Sequence, residues 1–187
     1  YGVGLAREMF PGSRFDAPQG FDLNTGTPTE FRSGNYDSSF AVLEVGYGAI
    51  EGRLMNVISK SYRGANTGSV CGTMLALMAD PTEGLECYAR GVHGSRGSWL
   101  LDLDYKYKLA PNTTLTLHVG KQKVKNFKEA DFNDERIGIA HKHWGFDWGA
   151  VWVMTQTMVR ELYLAQDGDR LRKTDNDRLV LSVSRKF

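Results

Sequence analysis

The chain has 187 residues, enough for one domain, and its 23 Lys and Arg against 22 Asp and Glu leave a net charge of +1. That balance provides no basic field to gather nucleic acid, which is not expected as a partner. The longest apolar run, residues 74–79, falls far short of the roughly 20 residues a membrane-crossing helix needs, so helical spans are excluded.

Twenty-one Gly, 9 Phe, 8 Tyr and 4 Trp beside only 5 Pro favour strands joined by turns. A mean hydropathy of −0.38 is compatible with a membrane wall if apolar and polar residues alternate, since a barrel shows lipid only every second side chain. The chain opens at Tyr1 with neither Met nor an apolar leader, as expected of a processed chain or a fragment.

Period-two runs mark eight strands in chain order. Residues 1–10 form the first, followed by a long connection over 11–39. In 40–48, Leu43, Val45 and Tyr47 oppose Glu44 and Gly46, and a short turn over 48–50 follows. In 51–62 the facing stays open, because Arg53, Met55 and Val57 compete with Leu54 and Ile58. A long connection over 63–98 then leads to the clearest strand, 99–109, where Trp99, Leu101, Leu103, Tyr105, Tyr107 and Leu109 oppose Asp102, Asp104, Lys106 and Lys108. A short turn over 110–112 precedes strand 113–123, and a long connection over 124–134 precedes strand 135–143. After the short turn 144–146 come strand 147–157, a long connection over 158–177 and a last strand, 178–187.

Short and long connections thus alternate, as tight periplasmic turns and long external loops do in outer-membrane barrels. The expected fold is all-β: one domain over residues 1–187, an antiparallel transmembrane β-barrel of eight visible strands with both ends of the chain at the periplasmic rim. Its interior lining is expected from Glu44, Asp102, Asp104, Lys106, Lys108, His118, Gln122, Arg136, Lys142 and Lys186. Leu179, Leu181, Val183 and the terminal Phe187 form the stripe that outer-membrane assembly machinery reads, with Arg185 interrupting it near the rim.

Cys71 and Cys87 share one long external connection, where an oxidising exterior favours a disulfide over two buried thiols. Closing about 17 residues would remove roughly 3 kcal/mol of denatured-state entropy. The turn near Pro111 sets Asp104 opposite His118 on the inner face, an interior polar pair rather than a catalytic one, since no nucleophile has its register fixed beside them. His141 and His143 share a strand face beside Trp144, which an interfacial aromatic belt explains without metal. Asp167, Asp169, Asp175 and Asp177 read as solvated loop charges, with calcium or an ion-bridged lipopolysaccharide the alternative.

The stretches GSWLLDLDYKYKLAPNTTLTLHVGKQKV, RIGIAHKHWGFDWGAVWV and RLVLSVSRKF resemble the TorF-type porin family over residues 97–187, with a weaker echo in YGVGLAREMFPG. The resemblance implies an outer-membrane barrel with further strands ahead of this segment, about twelve in all, and transfers no functional residues. A wall of eight strands is filled by side chains, whereas twelve leave room for water.

The expected function is a porin-like passive channel for small hydrophilic solutes in the bacterial outer membrane, with residues 11–39 folding inward as a constriction. The alternative is a non-conducting structural or adhesive barrel that anchors its external loops or joins an envelope assembly. No enzyme activity, metal or other cofactor is expected. Partners would be outer-membrane lipid and lipopolysaccharide, the barrel assembly machinery, and a second copy or an envelope complex.

Overall fold

The computed structural model describes residues 1–22, 24–167 and 169–185, without the side chains of residues 166 and 167. Its strands are β1 (Gly2–Glu8), β2 (Arg14–Asp22), β3 (Thr27–Asn35), β4 (Ser38–Tyr47), β5 (Ile50–Val57), β6 (Trp99–Ala110), β7 (Thr113–Lys123), β8 (Phe132–His143), β9 (Phe146–Thr157), β10 (Leu164–Asp167), β11 (Arg170–Lys173) and β12 (Arg178–Ser184). Two helices, α1 (Thr67–Leu77) and α2 (Thr82–Ala89), lie between β5 and β6. No helix among the described residues is long and apolar enough to cross a membrane, which says nothing of strands.

Eight strands form one antiparallel sheet in the order β1-β4-β5-β6-β7-β8-β9-β12. Among the described residues β1 and β12 each pair with one neighbour, so no pairing closes the sheet on itself. The eight expected wall strands therefore appear as an all-antiparallel meander. Lys186 and Phe187 lie outside the described residues.

Long connections carry structure that alternation did not reveal. Within residues 11–39, β2 and β3 form a separate hairpin, and β10 and β11 form another near the chain's end. β8 starts at Phe132, inside the stretch expected as loop, and β5 stops at Val57 rather than running on to Tyr62.

The connection after β5 folds into a cap. Asn66 starts α1 with a capping box: its side chain accepts from the Ser69 amide while the Ser69 hydroxyl accepts from the Asn66 amide, satisfying two otherwise orphan groups. Cys71 on α1 and Cys87 on α2 form the expected disulfide. The helices cross closely at Gly84, where a Cβ would come within 2.8 Å of Leu75 backbone. Gly68 gives α1 the same closeness to β2, since a Cβ there would meet Pro18 and Gln19 at about 2.5 Å or less.

The buried apolar cluster is small and sits under this cap. Phe40 and Val57 from the ends of β4 and β5 meet Val70, Cys71, Met74 and Cys87 from the helices, with Tyr62, Val124 and Phe127 completing it. Below that end the described residues form no comparable apolar core, and the two faces of the sheet differ in chemistry.

Candidate functional site

Register makes one face of the sheet apolar. Tyr47 pairs with Ile50, Ile50 with Tyr105, Tyr105 with Leu117, Leu117 with Ile137, Ile137 with Trp152 and Trp152 with Leu179, a row crossing seven strands. Cross-strand partners share a face, so these side chains form one continuous stripe. Parallel rows hold Leu43, Leu54 and Leu101 on one side, and Tyr107, Leu115, Ile139, Ala150 and Leu181 on the other. Most are exposed: Ile137 keeps 51% of its surface and Leu181 keeps 73%. The facing left open in β5 is settled here, with Leu54 on the apolar face and Arg53 on the ionic one.

The opposite face is ionic. Arg53 pairs in register with Glu44 and Asp102, and its Nε donates to Glu44 Oε1 at 2.8 Å. Lys106 Nζ donates to Glu51 Oε2 at 2.7 Å. His118 stands at the centre, its side chain only 4% exposed. Asp104 Oδ1 lies 2.9 Å from His118 Nδ1, and Arg136 Nη2 lies 2.6 Å from Nε2. The Asp104 carboxylate can only accept, so in that bond Nδ1 carries the proton. Asp134 Oδ2 sits 3.2 Å from the same Nε2 and 3.4 Å from Arg136 Nε.

Gly120 opens the space for this cluster. A Cβ at Gly120 would lie 2.2 Å from Asp134 and 3.1 Å from His118 Nε2, so any larger residue would displace both. A cavity of about 480 Å³ adjoins the network on the short-turn half of the ionic face, lined by Glu44, Glu51, Arg53, Asp102, Asp104, His118 and Arg136 among others. Charges of both signs neutralise one another across it.

Toward the cap the same face changes to neutral hydrogen bonds. The Tyr62 hydroxyl donates to Gln122 Oε1 at 2.6 Å, and Gln122 Nε2 donates to the Ala130 carbonyl at 3.1 Å. The Tyr163 hydroxyl donates to that same carbonyl at 2.6 Å. Burial pushes the Tyr62 phenol up to about 12 and raises that of Tyr163 as well, so both stay protonated donors at neutral pH. Beside them Arg63 grips Glu8 through two bonds of 2.9 and 2.8 Å, tying the cap to β1 and raising the guanidinium's pKa further.

Of the lining residues named from sequence, Glu44, Asp102, Asp104, His118 and Arg136 meet around one cavity, Lys106 joins through Glu51, and Gln122 lies in the neutral rung. Lys108 pairs with Thr114 and Lys142 with Asp147 near the short turns, away from that cluster. Glu51, Arg53 and Asp134 are additions. Arg53 was hidden by the ambiguous parity of its strand, and Asp134 by its placement in a loop. Leu179, Leu181 and Val183 all stand on the exposed apolar face of β12.

The His141 and His143 rings lie tilted 5.7 Å apart, His143 lies 4.3 Å from the Trp144 ring, and His141 Nδ1 lies 2.9 Å from the Thr113 hydroxyl. No group of three or more His, Cys, Asp or Glu among the described residues is arranged to hold a metal ion. Asp175 is buried against Arg160 and Thr157 instead of standing free in solvent.

Residues 1–187 match a family model described as "Bacterial protein of unknown function (Gcw_chp)". The chain belongs to this Gcw_chp family. No curated protein and no solved structure matches it. The family description assigns this Gcw_chp chain no activity, so its function has to be argued from the two faces of the sheet.

Proposed function

We propose that this Gcw_chp chain is a bacterial outer-membrane β-barrel protein, porin-like in its ionic interior, offering a passive route to small hydrophilic solutes that its disulfide-stapled cap restricts at the loop end. The observation that carries the reading is the inverted polarity of the sheet. A soluble sandwich or barrel hides its apolar face and shows its charges, whereas here the row from Tyr47 to Leu179 is outermost and the ion pairs line the cavity. Contiguous exposed apolar patches on soluble monomers rarely exceed a few hundred Å², and a stripe across seven strands calls for an apolar solvent. Trp148 and Trp144 near the short turns suit a membrane interface.

Closure would join the edges of β1 and β12, directly or across further strands, leaving no exposed edge in lipid. The resemblance to TorF-type porins supports the same reading, with an outer-membrane location and recognition of the β12 stripe by assembly machinery. The Asp104 and His118 pair is read as interior neutralisation, because Arg136 occupies the second ring nitrogen.

A second reading, a non-conducting barrel that anchors external structure, is favoured by the cap and the neutral rung of Tyr62, Gln122 and Tyr163 across one end of the interior. Planar-bilayer recording of the intact, detergent-purified protein separates the two. Stable conductance steps support the channel; a silent bilayer with folded, inserted protein supports the anchor.

A further inference from the structure

A second cavity, of about 570 Å³, lies on the loop side between the β2–β3 hairpin and the cap. Arg14, Arg32 and Asn35 line it from the hairpin, and Lys60, Asn66 and His93 from the cap. No carboxylate is among its lining residues. We propose that this cleft binds a phosphate-class anion.

Three permanent cations, Arg14, Arg32 and Lys60, line this cleft, and all three are exposed. Arg14 and Lys60 form no ion pair among the described residues, and Arg32 has only a solvent-exposed contact of 3.4 Å with Glu30. The Asp16 carboxylate, which accepts from the Ser33 hydroxyl at 2.5 Å, is outside the lining. Like charges lining one cleft give it a positive field that favours an anion. Asn66 brings the N-terminus of α1 to the same cleft, and the first turn of α1 has no acidic residue, so the positive end of the helix dipole adds to the field. The Asn66 oxygen is taken by Ser69 and Gln19, which leaves its amide hydrogens to donate.

The walls are held in place. Phe15 packs so tightly over Gly34 and Gly64 that a Cβ at either would lie within 2.8 Å of its ring, and this contact locks the hairpin to the cap. On the loop side of an outer-membrane barrel such an anion could come from a lipid A headgroup or from a free phosphorylated solute. The site itself does not depend on whether the interior conducts.

The test is calorimetric titration of the detergent-purified full chain with inorganic phosphate, with lipopolysaccharide and with dephosphorylated lipopolysaccharide. The variants are Arg14→Ala/Lys60→Ala and a control of equal charge loss on β11, Arg170→Ala/Lys173→Ala. Wild type and control are expected to bind a phosphorylated ligand, with affinity falling about tenfold or more in Arg14→Ala/Lys60→Ala at an unchanged melting temperature. Binding of lipopolysaccharide alone supports the headgroup as source, and binding of inorganic phosphate as well supports a free anion. Absence of binding to every phosphorylated ligand, equal weakening in both double variants, or undiminished binding of the dephosphorylated form would overturn the proposal.

Discussion

Gln122 accepts the Tyr62 hydroxyl at 2.6 Å, joining β7 to the entry of the cap across 60 residues of chain. Both partners are buried, so the bond is made where water cannot replace it. Tyr62→Phe should leave Gln122 Oε1 without its donor and cost about 1 to 3 kcal/mol of cap stability. Limited proteolysis should then cut within residues 59–98 faster than in wild type, while the far-UV circular dichroism of the sheet is unchanged. Equal cleavage rates would show that the bond does not hold the cap.

The same phenol gives a pH dependence with a definite sign. Its pKa is raised from 10.0 to about 12, so the neutral form is favoured in the folded state. The stability it contributes is complete below pH 10 and declines as pH rises through about 12. Cap stability measured across that window should fall more steeply in wild type than in Tyr62→Phe.

Asp175 acts at the other end of the scale. Burial raises its pKa, but the bonds from Arg160 Nε at 2.8 Å and Thr157 Oγ1 at 3.0 Å outweigh it and leave the carboxyl below its ordinary 3.8. A depressed carboxylate stabilises the fold above its unfolded pKa, and that contribution is lost as pH falls through the lower folded value. Asp175→Asn should therefore flatten the acid limb of the unfolding profile below about pH 4. A profile identical to wild type would remove Asp175 from the account.

The disulfide between Cys71 and Cys87, 16 residues apart, staples α1 to α2. Replacing both by Ser should cost the cap roughly 3 kcal/mol in the chain-entropy model. The sheet holds its register through other contacts, so the loss should appear as proteolysis confined to the cap. If the cap restricts a channel, the variant should also conduct more than wild type in planar bilayers.

What could be read from the sequence follows from how each element is encoded. The wall strands were legible because a two-faced strand writes its polarity at period two, most plainly from Trp99 to Leu109. The His118 and Asp104 contact followed from a short turn that fixes register. Arg53 was not legible because Met55 and Val57, which face inward beneath the cap, imitate the pattern of an outer face. The cap was missed for a different reason: α1 is apolar nearly all round, with Val70, Cys71 and Met74 buried and no periodic polar face to mark a helix. The β2–β3 hairpin carries Pro18 and Pro28 within its strands, residues that read as loop.

Polarity of the faces can be tested by one pair of substitutions. Ile137, central in β8, stands on the apolar face of the sheet, and Thr116, paired in register with Lys106, on the ionic face. Ile137→Arg should cost about 2 to 4 kcal/mol of stability in lipid bilayers. Thr116→Arg, introducing the same side chain on the ionic face, should cost less than half as much. Equal costs would mean that the two faces see the same medium.

The most direct test of the membrane assignment is depth-dependent fluorescence quenching of Trp152 in a variant with the other three Trp replaced by Phe, folded into vesicles of acyl-brominated lipid. Trp152 lies in the apolar row between Ile137 and Leu179. The account predicts strong quenching by bromine near the middle of the chains and little by aqueous iodide. Efficient quenching by iodide with none by brominated lipid, in protein that stays folded and soluble without detergent, would contradict it.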